Sequence, residues 1–226
     1  MKVPERTPES LKRLHSLTGV LPLGFFLLEH IAVNATALGG PGAFRHAVQA
    51  LDRTPILPVL EIALIALPLA IHSVIGVLLA TELNEAGRPD FADRRVGIQR
   101  VTGILLLPYL IYHVWATRLS PEVLKGGADL IAIMGKQVAS GPGFAFNALG
   151  IALAAYHFGH GLRSFAVRWG LARDAAAERA VERLGLALAV VLTVVGVASL
   201  AAFARHAVVV AALPAALPPV GAAGPP

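Results

Sequence analysis

Four histidines, each set in a long apolar stretch, are the residues of this sequence best suited to do chemistry. They are His30 in LLEHIAVN, His72 in LAIHSVIG, His113 in YLIYHVWA and His157 in AAYHFGHG. An ionisable side chain inside a membrane segment is costly to bury and marks a functional site by default. Imidazole is a frequent metal ligand and a standard axial ligand of haem iron. The four histidines therefore indicate a metal or cofactor site within a membrane.

The composition predicts a membrane protein. Hydrophobic residues make up 56% of the 226 residues and charged residues only 15%, which is too apolar for an ordinary soluble domain. There is no cysteine, which excludes disulfides, thiolate metal sites and iron–sulfur ligation within this chain. The net charge of +5 is explained by Lys and Arg in cytoplasmic loops. Nucleic acid is therefore not an expected partner.

The apolar runs predict an all-α fold, an integral membrane bundle of five transmembrane helices. The spans are expected at roughly 14–38, 56–81, 97–118, 142–164 and 184–206, close to the roughly 20 residues that cross a bilayer core. Together they form a domain over 1–206, followed by an Ala/Pro/Gly-rich tail at 207–226. Most of the 19 Lys and Arg residues face inward if the N-terminus is cytoplasmic and the C-terminus is outside. No repeat of fixed period is apparent.

The depths of the histidines fall into two pairs. A helix rises about 1.5 Å per residue, which puts His30 and His113 toward the outer side and His72 and His157 toward the inner side. Two imidazoles that face each other across a bundle can fill both axial positions of a haem iron. The pairing therefore predicts an outer and an inner haem.

Histidines in apolar helices can also serve purposes other than haem ligation, and each purpose predicts different neighbours. Each ring could simply bond a backbone carbonyl or a neighbouring helix. A bare zinc or copper site would need carboxylates, and only Glu29 and Glu61 lie near the spans. A transporter that relays protons through histidines predicts acidic residues beside them, a condition that only Glu29 meets. A haem-free structural anchor is a further alternative.

Around these histidines the sequence resembles a known family, the single-chain, five-helix, di-haem cytochrome b subunit of succinate:quinone oxidoreductases and fumarate reductases (respiratory complex II). The resembling blocks are HSLTGVLPLGFFLLEHIAVN at 15–34, PVLEIALIALPLAIHSVIGVLLA at 58–80, QRVTGILLLPYLIYHVWATR at 99–118 and YHFGHGLRSFAVRWG at 156–170. They cover the four histidine-bearing spans in order. The resemblance implies that His30 and His113 ligate one haem b and that His72 and His157 ligate the other.

The resemblance also implies a function. The chain would be a membrane anchor and electron-transfer subunit of succinate:quinone oxidoreductase, with menaquinone as its substrate. Its partners would be the iron–sulfur and flavoprotein subunits of complex II on the cytoplasmic side, and a higher oligomer of the complex is left open. Dicarboxylate chemistry is expected in another subunit, since no motif here would bind flavin or succinate. The expected location is multi-pass, in the bacterial cytoplasmic (inner) membrane.

The direction of the reaction is suggested by one departure from the family. Some quinol-oxidising fumarate reductases have a glutamate two residues before the fourth ligand, where this chain has Ala155. This favours succinate oxidation with reduction of menaquinone. The alternatives are the quinol-oxidising anchor of a fumarate reductase and the haem b subunit of another respiratory complex.

Supporting residues are expected at the ends of the spans. Haem propionates are anions, and Arg pairs carboxylates through a fork of donors. The candidates at the inner level are His15, Ser16, Gln99, Arg100, Arg163 and Arg168. Inward-facing topology alone would explain Arg163 equally well. The outer candidates for a quinone site are Glu29, Asp52, Glu61 and Trp115, although Glu61 is slightly better explained as a helix-start carboxylate.

Overall fold

Helices dominate the part of the chain that the structure describes. The computed structural model describes residues 7–81, 94–126 and 129–212, and it contains no strand within those ranges. The predicted all-α class is therefore confirmed. Residues 1–6, 82–93, 127–128 and 213–226 lie outside the described residues, and with them most of the predicted tail.

The predicted spans appear as helices whose bounds differ from the expected ones. Pro22 lacks a backbone N–H and begins a second helix inside the first span, and a π-helical segment lies inside the second span. The elements in chain order are α1 (Glu9–Val20), α2 (Pro22–Ala35), a 3-10 helix (Thr36–Gly39), α3 (Pro41–Asp52), α4 (Leu57–Leu60), a π-helix (Glu61–Ala66), α5 (Leu67–Thr81), α6 (Arg94–Ala116), α7 (Pro121–Leu124), α8 (Leu130–Val138), α9 (Gly141–Arg168) and α10 (Ala175–Ala212).

The last helix begins well before the position expected at residue 184. Asp174 caps it, since its Oδ1 accepts hydrogen bonds from the backbone N–H groups of Ala176 and Ala177 at 2.9 and 2.8 Å. Glu178 and Glu182, one turn apart, both face Arg163, at 2.6 and 4.0 Å. These contacts explain why charged residues continue the helix instead of forming a loop.

Three helical stretches among the described residues are long and apolar enough to cross a membrane: Glu9–Gly39, Leu57–Thr81 and Ala175–Ala207. A fourth results if α8 and α9, which meet at an angle of 107°, are counted as one span. Helix α6 has 23 residues and is not among these stretches. Five spans and the orientation of the termini therefore stay predictions.

The four histidine-bearing segments pack as two helix pairs. Helix α1, which precedes α2 in the first span, packs on α5, and α6 packs on α9, while contacts of α1 with α9 and of α5 with α6 join the pairs. Helix α10 lies along α9. At one end, Phe44, Ile131 and Phe203 belong to a buried apolar cluster. Elsewhere large apolar side chains are exposed, among them Phe25 at 72%, as expected for a surface that faces lipid.

An ion pair joins two of the shorter helices outside the spans. Arg45 Nη2 on α3 donates a hydrogen bond to Asp129 Oδ2 at 2.6 Å, just before α8. The bond lowers the pKa of the Asp129 carboxyl below its usual range. Both side chains are largely exposed, so solvent screens the pair and it contributes little to the stability of the fold.

Alanine at Gly159 is expected to weaken the packing of α9 on α10. A Cβ at Gly159 would lie 2.2 Å from the carbonyl oxygen of Gly185, so the two backbones must separate. Such overpacking costs about 1–3 kcal/mol, which lowers the thermal midpoint by roughly 2–4 °C per kcal/mol. The measurement is thermal denaturation of the detergent-solubilised protein.

The matched control is Gly97→Ala. No described atom lies within 4 Å of a Cβ added at that position, so we expect an unchanged midpoint. Equal midpoints for the two alanine variants would contradict the packing argument.

Candidate haem sites

The inner pair of predicted ligands, His72 and His157, face each other across the bundle. Their ring centres are 6.1 Å apart and the ring planes are inclined by 88°. An imidazole nitrogen lies about 2 Å from the metal it binds, so two imidazoles on opposite sides of one metal have ring centres about 6 Å apart. The spacing of this pair therefore fits a single metal atom between the rings.

Each inner ring is anchored through its Nδ1 atom. His72 Nδ1 donates a hydrogen bond to the carbonyl oxygen of His15 at 2.9 Å, and His157 Nδ1 donates to the carbonyl oxygen of Gln99 at 3.1 Å. A neutral imidazole has one N–H, so donation by Nδ1 leaves Nε2 with the free lone pair. Such a hydrogen bond fixes the tautomer and the orientation of a metal-binding histidine. Both inner rings thus offer Nε2 as the ligand atom.

The outer pair, His30 on α2 and His113 on α6, has nearly the same geometry. The ring centres are 5.9 Å apart and the planes are inclined by 89°. An aromatic ring one turn earlier contacts each of them, Phe26 at 5.3 Å and Tyr109 at 5.7 Å. Among the described residues, Nδ1 of His113 is buried without a hydrogen-bond partner. A buried polar atom of this kind is costly unless something binds it.

The two pairs fit haem better than a bare metal ion. No group of three or more His, Asp and Glu side chains that could hold a metal occurs in the described ranges. Each pair instead supplies two imidazoles at a separation suited to the two axial positions of one iron. The four remaining ligands of a haem iron belong to the porphyrin, so no further side chain is required.

The residues predicted to contact propionates lie at the end of the bundle that the sequence predicts to be the inner one, and most have polar partners there. Three such contacts are Arg168 with Glu9, Arg163 Nη2 with Glu178 at 2.6 Å, and Trp169 Nε1 donating to Ser16 Oγ at 3.2 Å. A cavity of about 290 Å³ lies between Arg163 and Arg168. Arg100 is half-buried. His15 and Gln99 hydrogen-bond the backbone of the inner histidines instead, at 3.0 and 2.9 Å.

The four predicted quinone contacts differ in exposure and in partners. Asp52 and Trp115 are exposed, and Glu29 is half-buried with an Oε1 atom that lacks a hydrogen-bond partner in the described structure. Glu61 forms a two-point ion pair with Arg118, whose Nε and Nη2 lie 3.0 and 2.8 Å from the carboxylate oxygens. This ion pair was not expected from the sequence, which suggested only a quinone contact or a helix-start carboxylate for Glu61. It could have been found, because Glu61 and Arg118 carry opposite charges and lie at span ends of the same depth.

Sequence reasoning also missed two threonines beside the inner rings. Thr18 Oγ1 lies 3.5 Å from Nδ1 of His72, and Thr102 Oγ1 lies 3.2 Å from Nδ1 of His157. They belong to the segments HSLTG at 15–19 and QRVTG at 99–103, which end in the same two residues. The two segments thus place a Thr-Gly dipeptide beside each inner ring.

Two comparisons with known proteins bear on the family. A model of the succinate dehydrogenase/fumarate reductase transmembrane subunit family matches residues 96–213. The succinate dehydrogenase cytochrome b558 subunit of Bacillus subtilis (strain 168) is 38% identical over 195 residues, which cover 85% of this chain and 95% of that protein. No solved structure matches the chain. With a family model over half its length and a relative over most of it, the chain belongs to the succinate dehydrogenase/fumarate reductase transmembrane subunit family.

Proposed function

We propose that this chain carries electrons between an iron–sulfur subunit and a membrane quinone, and that it holds two b haems. The observation that carries the proposal is the pair of facing histidine couples, with ring centres 6.1 and 5.9 Å apart. Membership of an oxidoreductase family and a cytochrome b relative support it. When bound, haem supplies one-electron chemistry that no side chain of this sequence can supply.

The residues of the chain itself would bind the two haems, orient the rings that hold them and shield the site from water. His72 and His157 would hold the inner haem through Nε2, because Nδ1 of each ring is engaged by a backbone carbonyl. His30 and His113 would hold the outer haem, with Phe26 beside the first ring and Tyr109 beside the second. The surrounding apolar helices exclude water, which raises the strength of every electrostatic contact inside the bundle.

Burial around Ala155 supports succinate oxidation as the direction of the reaction. Ala155 is 1% exposed and packs in a cluster with Ile31, Ala189 and Leu192. A carboxylate two residues before His157 would meet this apolar cluster, where its burial is costly. Because residue 155 is alanine, the chain has no proton-carrying side chain at this position. Menaquinone is the proposed acceptor, and quinol oxidation by a fumarate reductase is the alternative.

The proposed partners are the iron–sulfur and flavoprotein subunits of the complex, on the cytoplasmic side. The segments 82–100 and 163–183 are rich in Arg, and the positive-inside rule assigns them to the cytoplasm. Residues 82–93 of the first segment lie outside the described residues. Family membership and the apolar helices make the chain a multi-pass protein of the bacterial cytoplasmic membrane. Succinate itself would react in a partner subunit.

Loss of either histidine pair should remove one haem. We expect two haems per chain in a pyridine haemochrome assay of the purified complex. His72→Ala should lose the inner haem and retain the outer one, and His113→Ala should do the reverse, because each iron loses one of its two axial ligands. The exposed His46 provides the control, and His46→Ala should retain both. A colourless wild-type protein would instead favour a transporter or a haem-free anchor.

Arg168 should raise the reduction potential of the inner haem. It lies at the inner end of α9 beside the 290 Å³ cavity, where its charge can oppose that of a propionate. At roughly 10–15 Å and an effective dielectric constant near 20, a unit charge contributes on the order of 1 kcal/mol. Arg168→Leu should therefore lower the inner midpoint potential by tens of millivolts in a redox titration.

The control for this variant is Arg179→Leu, since Arg179 is exposed on α10. It removes the same charge from the same side of the chain and should leave both potentials unchanged. If Arg168→Leu and Arg179→Leu give the same titration curve as the wild type, Arg168 does not neutralise a propionate.

Turnover should respond to the membrane potential. Electrons that enter at the cytoplasmic face and leave near the outer histidine pair carry negative charge outward from a negative interior. Moving one charge across the whole membrane involves about 2.3 kcal/mol per 100 mV. We therefore expect an uncoupler to slow succinate oxidation by menaquinone analogues in sealed vesicles. A rate that is indifferent to the uncoupler would assign the quinone to the inner side.

A further inference from the structure

Two short segments of this chain contact the inner histidines in the same manner. The segment that begins with His15 on α1 faces His72 on α5, and the one that begins with Gln99 on α6 faces His157 on α9. The two segment starts are 84 residues apart and the two facing histidines are 85 residues apart. The inner site is therefore built from two copies of one helix-pair arrangement.

Within each helix pair, the two facing side chains exchange hydrogen bonds with each other's backbone carbonyls. His15 Nδ1 donates to the carbonyl oxygen of His72 at 3.0 Å, and His72 Nδ1 donates to that of His15 at 2.9 Å. Gln99 Nε2 donates to the carbonyl oxygen of His157 at 2.9 Å, and His157 Nδ1 donates to that of Gln99 at 3.1 Å. We call each of these two-bond sets a reciprocal clamp.

A glycine four residues after each clamp residue leaves room for the facing side chain. Side chains four residues apart lie on the same face of a helix, so a side chain at this position would cover the carbonyl that the clamp uses. A Cβ would lie 2.5 Å from His72 Cε1 at Gly19, 3.0 Å from His15 Cε1 at Gly76, 2.9 Å from His157 Cε1 at Gly103, and 3.4 Å from Gln99 Nε2 at Gly161. Close approach therefore requires a small residue at Gly19, Gly76 and Gly103, whereas the contact at Gly161 is an ordinary van der Waals distance.

We propose that His15 and Gln99 are positioning residues, which fix the ring planes of His72 and His157 for axial ligation. The inference rests on the proposed ligation of the inner haem by these two histidines. The ring torsion of a histidine is intrinsically broad, so a ligand held only by its own side chain can rotate. The clamps hold the backbone carbonyls and the rings of facing helices in register, with the ring planes 88° apart. In the described structure, no such clamp is seen at His30 or His113.

The hydrogen bond, and not ring stacking, is the feature that the two clamps share. The rings of His15 and His72 also stack, with centres 3.9 Å apart and planes inclined by 17°. Gln99 has no ring, yet its amide makes the equivalent bond to His157. An amide can therefore make the same bond as an imidazole, which provides a conservative substitution at position 15.

The test is low-temperature EPR of the purified ferric complex, in which the g anisotropy of each low-spin haem depends on the angle between its axial imidazole planes. His72→Ala and His113→Ala assign the inner and outer signals. His15→Leu and Gln99→Leu should each shift the inner signal and leave the outer one in place. His15→Gln and Gln99→His should both retain the wild-type inner signal, because each restores a donor already used in the other clamp.

Three outcomes would overturn the inference. An unshifted inner signal in His15→Leu would show that the His15 side chain does not position the ring, since the backbone carbonyl of residue 15 remains in the variant. A shift in His15→Gln as large as in His15→Leu would show that the imidazole itself, and not its hydrogen bond, is required. Equal shifts of both signals would indicate a general disturbance of the bundle. If the leucine variants fail to assemble, the two conservative variants still decide, since both must then retain the wild-type inner signal.

Failure of the underlying ligation would look different. If His72→Ala removed neither signal, the proposed inner haem site would be wrong whatever the result at position 15. If His72→Ala removed the inner signal while His15→Leu left it unshifted in the otherwise intact protein, only the positioning role would be lost.

Discussion

The structure depends on one constraint, which is that burying a polar ring inside a bilayer is costly unless its nitrogens find partners. Water is not available to a buried imidazole there, so its partners must come from the protein or from a bound group. For the inner rings, one nitrogen of each is satisfied by a carbonyl of the facing helix. Under the proposed ligation, the opposite nitrogens bind an iron between the rings. The hydrogen bonds to the facing carbonyls require α1 to lie against α5 and α6 to lie against α9.

Satisfying the rings from helical backbone does not break the helices. A carbonyl oxygen has two lone pairs, and the helix uses only one of them. The second lone pair of the His15 and Gln99 carbonyls accepts the N–H of the facing ring. The hydroxyls of Thr18 and Thr102 lie 3.0 and 2.9 Å from the same oxygens. Threonine, glycine and the donor side chain thus form one local unit on a continuous helix. Such a unit needs close helix contact, which is why small residues are found where bulky apolar ones would otherwise face the partner helix.

Depth along a helix could be predicted from the sequence, but direction around it could not. The helical rise gives the depth of each residue in the membrane, and depth alone was sufficient to group His30 with His113 and His72 with His157. Partners across the bundle also depend on the angle at which each side chain leaves its helix, which is set by packing. The ion pairs of Arg168 with Glu9, 159 residues away, and of Arg118 with Glu61 were therefore not predicted. The 107° bend between α8 and α9 falls at residues 140–143, where a break is predicted from the sequence but its angle is not.

The two histidine pairs share a ligand type and a spacing but differ in what surrounds them. The inner rings donate to backbone carbonyls, which increases the electron density on the opposite nitrogen. The outer rings lie beside Phe26 and Tyr109, and no hydrogen bond from either ring to a backbone carbonyl is seen in the described structure. Hydrogen bonding and burial are both ways in which a protein adjusts a bound iron without changing its ligands. Under the proposed ligation, a difference in potential between the two sites would therefore arise in the residues that contact the histidines, and the paired clamps would let the chain set the inner site independently of the outer one.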